Sequence, residues 1–472
     1  MSAPFRRYEP DQILLFAPNI REWLPPGHLA FFVMDVVRDL DLKEILAYYD
    51  LEPILGEQGQ IQGYRSKSGR GQPAYDPRMM TAVLVYAYCI GMPSSREIER
   101  ECENDVPMRV ISANQRPDHS TIAEFRRVHL RALAGLFLQV LKLCQKAGLV
   151  KLGHVALDGT KVKANASKHK AMSYGRMLKA EVELKQEVAE LLGRAQEVDR
   201  QEDRKYGKHK RGDELPEELQ RRESRLQKIQ EAKAALEAEA KAEAERIRKE
   251  HEEEQKRRRD NDEPPKPGKP PDPPEVPSEK AQRNFTDPES RIMKNSDKAF
   301  IQGYNAQAAV DHHRQIIVAA DVSAMAADTP HLKPMVAQVK KNVGRVPDEL
   351  SADAGYFSEE NVKELTKRHI DPLIAAERKK HGERPTARRG PIPTDATPKE
   401  RMVRKLRTVA GRAAYALRKV TVEPVFGQIR TRGLLRFWLR GLAKVKAEWT
   451  LWCTTHNLLK LFRSGRVSMG PG

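Results

Sequence analysis

The sequence predicts an α/β fold: a mixed sheet of about five strands with helices on both faces, behind an all-helical N-terminal domain. Apolar residues recur at helical spacing up to about residue 147, and strand-like runs separated by helical ones follow residue 291. A long charged helical segment with a Pro-rich end lies between the first strand and the others. We expect four segments: a helical DNA-binding domain at 1–147, the first part of the sheet domain at 148–170, a helical arm and linker at 171–290, and the rest of the sheet domain at 291–465.

The charge of the chain favours a polyanionic partner. There are 84 Lys and Arg residues against 66 Asp and Glu residues, a formal net charge of +18, and such an excess attracts nucleic acid. No apolar run approaches the roughly 20 residues of a membrane helix, and the first residues show no apolar segment of signal-peptide type. The four cysteines lack the short gaps of zinc sites, so we expect reduced thiols. The sequence thus predicts a cytoplasmic, nucleoid-associated protein that binds DNA and no membrane.

Helix signals recur through the N-terminal domain. The apolar spacing after His28 suits a buried helix, and Pro77 precedes an apolar run in the way that suits the first turn of a helix. Ser94 and Glu97 have capping-box spacing, which predicts a helix from Ser95. We therefore expect a bundle of short helices.

One helix of this domain is basic near its start. Thr121 and Glu124 repeat the capping-box spacing, and the helix that they would open displays Arg126, Arg127 and His129. Several short helices that end in such a helix resemble a helix-turn-helix module, which places one helix in the major groove. Arg126 and Arg127 are therefore candidate DNA contacts, while a solvated face of a helical bundle explains the same arginines.

The first predicted strand leads into an acid. A mostly apolar run from Leu149 reaches Asp158, Gly159 and Thr160, and predicts a buried strand within residues 149–163. Burial of an unpaired carboxylate is unfavourable. We therefore expect Asp158 to face a cleft or to bind a metal ion.

The insertion predicts an antiparallel helical arm. Helical spacing runs from Met172 to Leu192, a basic tip with two glycines occupies Lys205–Gly212, and a second helical run extends beyond Pro216 to about Arg259. Its charges alternate in sign, which is typical of a solvated helix; DNA contact or dimerisation is the alternative role. The Pro-rich stretch Glu263–Pro274 should form an extended linker.

Strand and helix signals alternate after the linker. With the insertion removed, the first and fourth strands can lie side by side, so Asp158 and Asp353 would meet at neighbouring strand ends. The expected elements are the hairpin strands Phe300–Val310 and Gln315–Val322, the helix His331–Val343, the strand ending at Asp353, the helix Ser358–His369, the strand Asp371–Ile374, a basic Pro-punctuated stretch Glu377–Glu400 and the helical region Arg401–Phe462.

Asp158, Asp353 and Glu423 are the candidates for catalysis and metal binding. Phosphodiester cleavage needs an in-line nucleophile and stabilisation of the leaving oxygen, and two divalent ions about 4 Å apart supply both. Carboxylates are the ligands that Mg²⁺ and Mn²⁺ prefer. We expect Asp158 to bridge the two ions, Asp353 to bind one and Glu423 to bind the other. Turn, strand-end and helix-capping roles account for three competing acids, Asp311, Asp321 and Asp328.

Six short motifs accompany these acids. They are Leu157–Thr160, Gly303–Gln307, Asp353–Tyr356 and Thr421–Gly427, with Tyr75–Arg78 and Pro117–Thr121 in the helical domain. Together they resemble the DDE transposases of bacterial insertion sequences. The resemblance implies an RNase H-like catalytic core, two Mg²⁺ or Mn²⁺ ions, and cutting and joining of terminal inverted repeats through the three acids. Paired-end synapsis in similar enzymes implies a homodimer on double-stranded DNA, which comprises the transposon ends and the target.

The residues around Glu423 depart from the family pattern at one point. Many relatives carry a Tyr, an Arg, the Glu and a basic residue, with two, three and six residues between successive members. Tyr415 and Arg418 keep the first gap and Arg430 keeps the last, but four residues separate Arg418 from Glu423. On an unbroken helix Lys419 shares the face of Glu423, and Arg418 lies about 140° away. Either Lys419 takes over the phosphate contact, or a one-residue bulge near the following proline restores Arg418.

Three functions are compatible with these features. The first is a metal-dependent transposase that binds the ends of its element and transfers them to new DNA. The second is a nuclease of the same fold that only hydrolyses. The third is an architectural DNA-binding protein whose arm and basic closing region carry the function, the acids being structural.

Overall fold

The computed structural model describes residues 19–466, with gaps at 50, 56–60, 67–73, 207–216, 261, 263, 266–269, 296 and 378–395. Most of the predicted arm tip and of the predicted basic stretch Glu377–Glu400 therefore lies outside the described residues. None of the helices in the described ranges has the length and apolar character that a membrane span requires.

The N-terminal region consists of helices and one hairpin. The elements are α1 (Leu29–Asp39), α2 (Lys43–Leu46), β1 (Leu51–Leu55), β2 (Ile61–Ser66), α3 (Pro77–Ile90), α4 (Ser95–Asn104), α5 (Val106–Ile111), α6 (His119–Val128) and α7 (Leu130–Lys146). The predicted starts at Pro77 and Ser95 are confirmed. β1 and β2 pair antiparallel. The prediction that this region is helical throughout is therefore wrong. A helix is disfavoured there because Pro53 lacks an N–H and Gly63 has low helix propensity.

The insertion forms the predicted two-helix arm. The chain leaves the sheet after β3 (His154–Lys163), passes through β4 (Ala171–Ser173), α8 (Tyr174–Tyr206) and α9 (Glu217–Asp260), and returns along β5 (Gln282–Asn284). β4 and β5 pair antiparallel and close the base of the arm. Near the base, Met177 and Leu184 of α8 form a small core with Ile229 and Leu236 of α9. The described residues of the Pro-rich segment are neither helix nor strand, as predicted.

The sheet is mixed and flanked by helices, as predicted. Its remaining strands are β6 (Arg291–Lys294), β7 (Phe300–Asp311), β8 (Ile316–Ser323), β9 (Glu349–Ala352) and β10 (Asp371–Ile374). The order is β10-β9-β3-β7, and both β6 and β8 pair with β7. β3, β9 and β10 run parallel, whereas β7 is antiparallel to β3, β6 and β8. The first and fourth predicted strands are therefore neighbours. The flanking helices are α10 (Leu332–Val343), α11 (Glu359–Lys367), α12 (Pro398–Lys405), α13 (Val409–Thr431) and α14 (Leu442–Ser464).

The N-terminal helices and the sheet share one hydrophobic core. α14 connects them, because it packs on α3 and α7 on one side and on β8 on another. Trp449 and Trp452 of α14 are fully buried, and the indole N–H of Trp449 donates to the carbonyl oxygen of Gln307 in β7 at 3.0 Å. The sheet is thus fixed to the N-terminal region by contiguous packing.

A buried carboxylate fixes the turn before α14. Glu448 is 1% exposed and accepts hydrogen bonds from the backbone N–H groups of Trp438 at 3.0 Å and Leu439 at 2.9 Å. Burial raises the pKa of Glu448 to about 7, although both N–H groups favour the ionised form. The folded protein therefore binds this proton more tightly than the unfolded chain does.

Glu448→Gln is expected to flatten the pH dependence of stability. The pKa is raised on folding, so the wild-type protein loses stability as the pH rises from about 4.5 to about 7, by about 3 kcal/mol in all. The Gln side chain still accepts the backbone N–H groups but does not ionise. Urea unfolding at about pH 5 and about pH 8 measures the effect. The free energy of unfolding of the variant, relative to that of wild type, should be about 2.5 kcal/mol higher at about pH 8 than at about pH 5. The same difference at both pH values would contradict the assignment.

Candidate active site

The pairing of β3 with β9 brings Asp158 and Asp353 together. Leu157 pairs with Ala352 as the last residue pair of this parallel ladder, and each acid is the next residue along its strand. Neighbouring strands lie about 4.8 Å apart, so the two acids begin from adjacent backbone positions. Asp353 follows the end of β9, as predicted. Asp158 lies within β3 rather than at its end, because β7 continues to pair with β3 as far as Lys163.

Helix α13 places Glu423 and Arg418 at these acids. The guanidinium of Arg418 donates from Nη1 to Asp158 Oδ2 at 2.7 Å and from Nη2 to Glu423 Oε1 at 3.4 Å. The Arg418 side chain is only 11% exposed, whereas Lys419 is exposed. α13 is α-helical from Val409 to Thr431, Pro424 included. Arg418 therefore reaches the acids by the length of its side chain, without the bulge that the sequence suggested.

Two more predicted residues of α13 face the same region. The Arg418 guanidinium lies 5.9 Å from the ring centroid of Tyr415, within the range of a cation–π contact. Arg430 donates from Nη2 to the hydroxyl of Thr160, two residues beyond Asp158 on β3. The structure thus groups Tyr415, Arg418 and Arg430 with the acids and leaves Lys419 apart.

A fourth acid, Asp328, lies beside the site. Its Oδ1 accepts hydrogen bonds from Lys161 Nζ at 2.9 Å, Asn305 Nδ2 at 2.7 Å and Gln307 Nε2 at 3.0 Å. The predicted helix-capping role is wrong, because the side chain makes no cap hydrogen bond to the short 3-10 turn that follows. The sequence carried one signal: Asn305 and Gln307 are polar residues two apart in an otherwise buried strand, which indicates a polar partner on that face.

The glycine near each strand acid makes room for this network. A Cβ on Gly159 would lie 2.8 Å from Asn305 Oδ1 and 2.9 Å from Asp328 Oδ1. A Cβ on Gly355 would lie 3.0 Å from Asp353 Oδ1 and 3.1 Å from Asp328 Oδ2. A side chain at Gly159 would therefore force these polar groups to shift, and one at Gly355 would be tightly packed against the two acids. Asp328 thus borders the segments that follow Asp158 and Asp353.

Negative charge is concentrated at this point. Burial raises the pKa of Asp158 to about 6; the charges of Asp353 and Asp328 act in the same direction, and Arg418 opposes them. Tyr356 is fully buried, and burial is the largest cause of its raised pKa. The charges of Asp328, Asp158 and Asp353 raise this pKa further. A cation near Asp158 therefore stabilises the ionised site.

The donor chemistry of the site fits hard divalent cations. Asp158, Asp353 and Glu423 supply carboxylate oxygens, and the raised pKa of Asp158 shows that its ionised form lacks sufficient compensation. In the described part of the chain, no three His, Cys, Asp or Glu side chains are already arranged as a metal cluster. The guanidinium of Arg418 joins Asp158 to Glu423 instead. Positive charge is thus supplied by the protein where the prediction places metal.

The predicted display of Arg126 on α6 is wrong. Arg126 is 8% exposed and donates from Nη1 to the carbonyl oxygen of Pro93 at 2.6 Å and to the Tyr88 hydroxyl at 3.3 Å. His129 is buried as well. Arg127 is exposed and pairs with Glu124, so DNA contact by Arg127 stays a prediction.

The N-cap of α6 also differs from the prediction. α6 begins at His119, and Asp118, rather than Thr121, caps it by accepting from the backbone N–H of Thr121 at 2.9 Å. The helix therefore begins two residues before the predicted N-cap. An Asp at the N-cap satisfies an N–H group that the first turn leaves without a partner.

Comparisons with known proteins identify two family matches. Residues 270–458 match the family described as Transposase DDE domain, a range that includes Asp353 and Glu423 and begins after Asp158. Residues 19–128 match the family described as Transposase domain (DUF772). Together the two models match more than half of the chain. No curated protein and no solved structure matches it.

Asp328→Asn is expected to lower the free energy of unfolding by about 3 kcal/mol, because it leaves the largely buried ammonium group of Lys161 without its carboxylate. Lys161→Met should cost less, and the double variant should recover part of the loss. A double-mutant cycle in urea measures the coupling, expected at about 1–3 kcal/mol.

The matched control for this cycle is the more exposed pair Asp321–Lys446, whose N–O distance of 2.8 Å is similar. Its coupling should be below about 1 kcal/mol, since both side chains are partly solvated. Equal coupling energies for the two pairs would show that Asp328 has no special structural role.

Proposed function

The chain belongs to the DDE transposases of insertion sequences, and we propose that it binds the terminal inverted repeats of its own element, cuts the DNA there and joins the ends to new DNA. Asp158, Asp353 and Glu423 are the proposed catalytic acids. The observation that carries the proposal is their grouping: the β3–β9 register sets the first two side by side, and Arg418 joins Asp158 to Glu423.

The three carboxylates would hold divalent cations, Mg²⁺ or Mn²⁺. When bound, two such ions activate the attacking oxygen and stabilise charge on the leaving oxygen. Lys161, Asn305 and Gln307 hold Asp328 next to Gly159 and Gly355, which keeps the backbone near both strand acids in place. Rigid support of this kind matters because a small displacement of a reacting group lowers the rate strongly.

Arg418 has two roles in the proposal. Without cations it compensates the charges of Asp158 and Glu423. The same guanidinium would also bind a DNA phosphate, which its planar fork suits. Tyr415 stacks beside it, and Arg430, close to Thr160, supplies a further positive charge for the DNA backbone.

The remaining parts of the proposal concern assembly on DNA. We propose that residues 1–147 form the DNA-binding domain and that residues 148–170 and 291–465 form the RNase H-like catalytic domain, interrupted by the arm. Two copies would bind a pair of transposon ends, because both ends must be joined to one target. The net charge of +18 supports binding to double-stranded DNA and an association with the nucleoid.

Asp158→Asn is expected to abolish cleavage of transposon-end DNA with Mg²⁺ and to leave DNA affinity within about twofold, because the amide keeps the shape of the carboxylate but not its charge. Cleavage is measured on labelled duplexes that carry the element's ends, and affinity by mobility shift without metal. Wild-type cleavage by the variant would rule out this site and leave an architectural role. Joining of a precleaved end to target DNA distinguishes a transposase from a nuclease that only hydrolyses.

Arg418→Ala is expected to lower the rate of strand cleavage by about 100-fold or more, because the site loses a guanidinium at its centre. Lys419→Ala, its matched neighbour, should lower the rate by less than about threefold, since that side chain is exposed. Single-turnover cleavage with saturating Mg²⁺ measures both. Equal, small losses would exclude both residues from the phosphate contact.

A further inference from the structure

A second charged surface, the basic cleft, lies at the end of β3. It has a volume of about 790 Å³ and is formed by the loop that follows β3, the start of β7 and the segment between α13 and α14. Its positive side chains are Lys163, Lys168, Lys170, Arg436 and Arg440. Among the described residues that line it, Asp297 is the single acid.

The positive charge of the basic cleft is not compensated by nearby acids. Lys163, Lys168 and Lys170 are exposed, and no described carboxylate lies within ion-pair distance of them. The arm is also rich in cations, but there Arg246 pairs with Glu243 and Glu250, and Lys233 pairs with Glu181. Of the two surfaces, the basic cleft therefore has the stronger attraction for a polyanion.

Hydrogen bonds hold the walls of the basic cleft together. Asn165 donates from Nδ2 to the carbonyl oxygen of Trp438 at 2.7 Å, and Arg440 donates from Nε to the carbonyl oxygen of Asn165 at 3.0 Å. The backbone N–H of Phe437 donates to the carbonyl oxygen of Lys163 at 2.8 Å. The two walls are thus fixed before a ligand arrives, which reduces the entropy lost on binding.

An exposed aromatic side chain borders the basic cleft. Phe300, the first residue of β7, is 65% exposed. Surfaces that bind single strands combine a positive groove for the backbone with aromatic rings on which bases stack. A duplex keeps its bases stacked on one another and cannot use such a ring. The combination therefore indicates an unpaired strand.

The basic cleft lies at a defined distance from the acids. β9 pairs with one edge of β3 as far as Leu157. Further along the same edge, Arg436 forms an isolated β-bridge with Lys163. From Asp158 to Lys163 the strand advances five residues, about 16 Å. This is the span of a few nucleotides of DNA.

We propose that the basic cleft binds a single strand of DNA a few nucleotides from the phosphate that is cut, with its phosphates on the lysines and arginines and a base stacked on Phe300. The inference rests on the proposed function, since it assigns part of the same DNA substrate to a second surface. It identifies a strand that is unpaired next to the transposon end.

Fluorescence anisotropy without metal tests this inference. The probes are a blunt duplex and the same duplex with a single-stranded extension of about ten nucleotides, of arbitrary sequence. The wild-type chain should bind the extended probe about tenfold more tightly. Phe300→Ala and the double variant Lys168→Glu/Lys170→Glu should each remove most of that preference. The double variant should also reduce the slope of log affinity against log salt by about 1.4, at about 0.7 per phosphate contact.

Lys241→Glu/Lys249→Glu on the arm is the matched control, because it changes the net charge equally at exposed positions; it should keep the wild-type preference. Absence of a preference in the wild-type chain, or its retention by both cleft variants, would overturn the inference. Asp158→Asn should keep the preference. A wild-type chain that prefers the extended probe but does not cleave DNA would contradict the proposed function alone. Normal cleavage without any preference contradicts the cleft alone.

Discussion

The register between β3 and β9 is the constraint on which the rest of the site depends. Because Leu157 pairs with Ala352, Asp158 and Asp353 leave neighbouring strands at the same level. A slip of one residue would turn one carboxylate to the other face of the sheet. β7 fixes β3 in the sheet by pairing with it over nearly its whole length. The buried residues of β3 and β9 specify the register between these two strands. The long insertion between β3 and β6 does not disturb it, since closing a longer loop costs little more.

Charge compensation links this register to function. The charges of Asp353 and Asp328 lie close enough to Asp158 to destabilise its ionised form. Lys161 compensates Asp328 through a largely buried ion pair, and Arg418 compensates Asp158 and Glu423. The first pair supports the fold on which the site is built. The ion pairs of Arg418 with Asp158 and Glu423 use carboxylate oxygens that a bound cation would also need. Arg418 and a cation would therefore compete for these oxygens.

The sequence predicted those parts of the fold that local pattern specifies. The succession of β3, β7, β8, β9 and β10 along the chain, the hairpin of β7 and β8, the two-helix arm and the adjacency of Asp158 and Asp353 all follow from periodicity and chain order. The short strand β6 was not predicted. It failed where partners are distant: Asp328 meets Lys161, 167 positions away, and Arg126 is buried against Tyr88 of α3 and Pro93 of the loop that follows α3. Helical geometry alone left two alternatives, Lys419 or a bulge that restores Arg418. It did not predict that the long side chain of Arg418 reaches both acids from an unbroken helix.

The proposed mechanism requires that Asp158, Asp353 and Glu423 bind divalent metal together. Anomalous diffraction from crystals that contain Mn²⁺ shows whether they do. Anomalous density is expected within about 2.5 Å of carboxylate oxygens of all three residues, with the Arg418 guanidinium withdrawn from Asp158. Saturating Mn²⁺ that leaves Arg418 between Asp158 and Glu423, with no density at the acids, would contradict it.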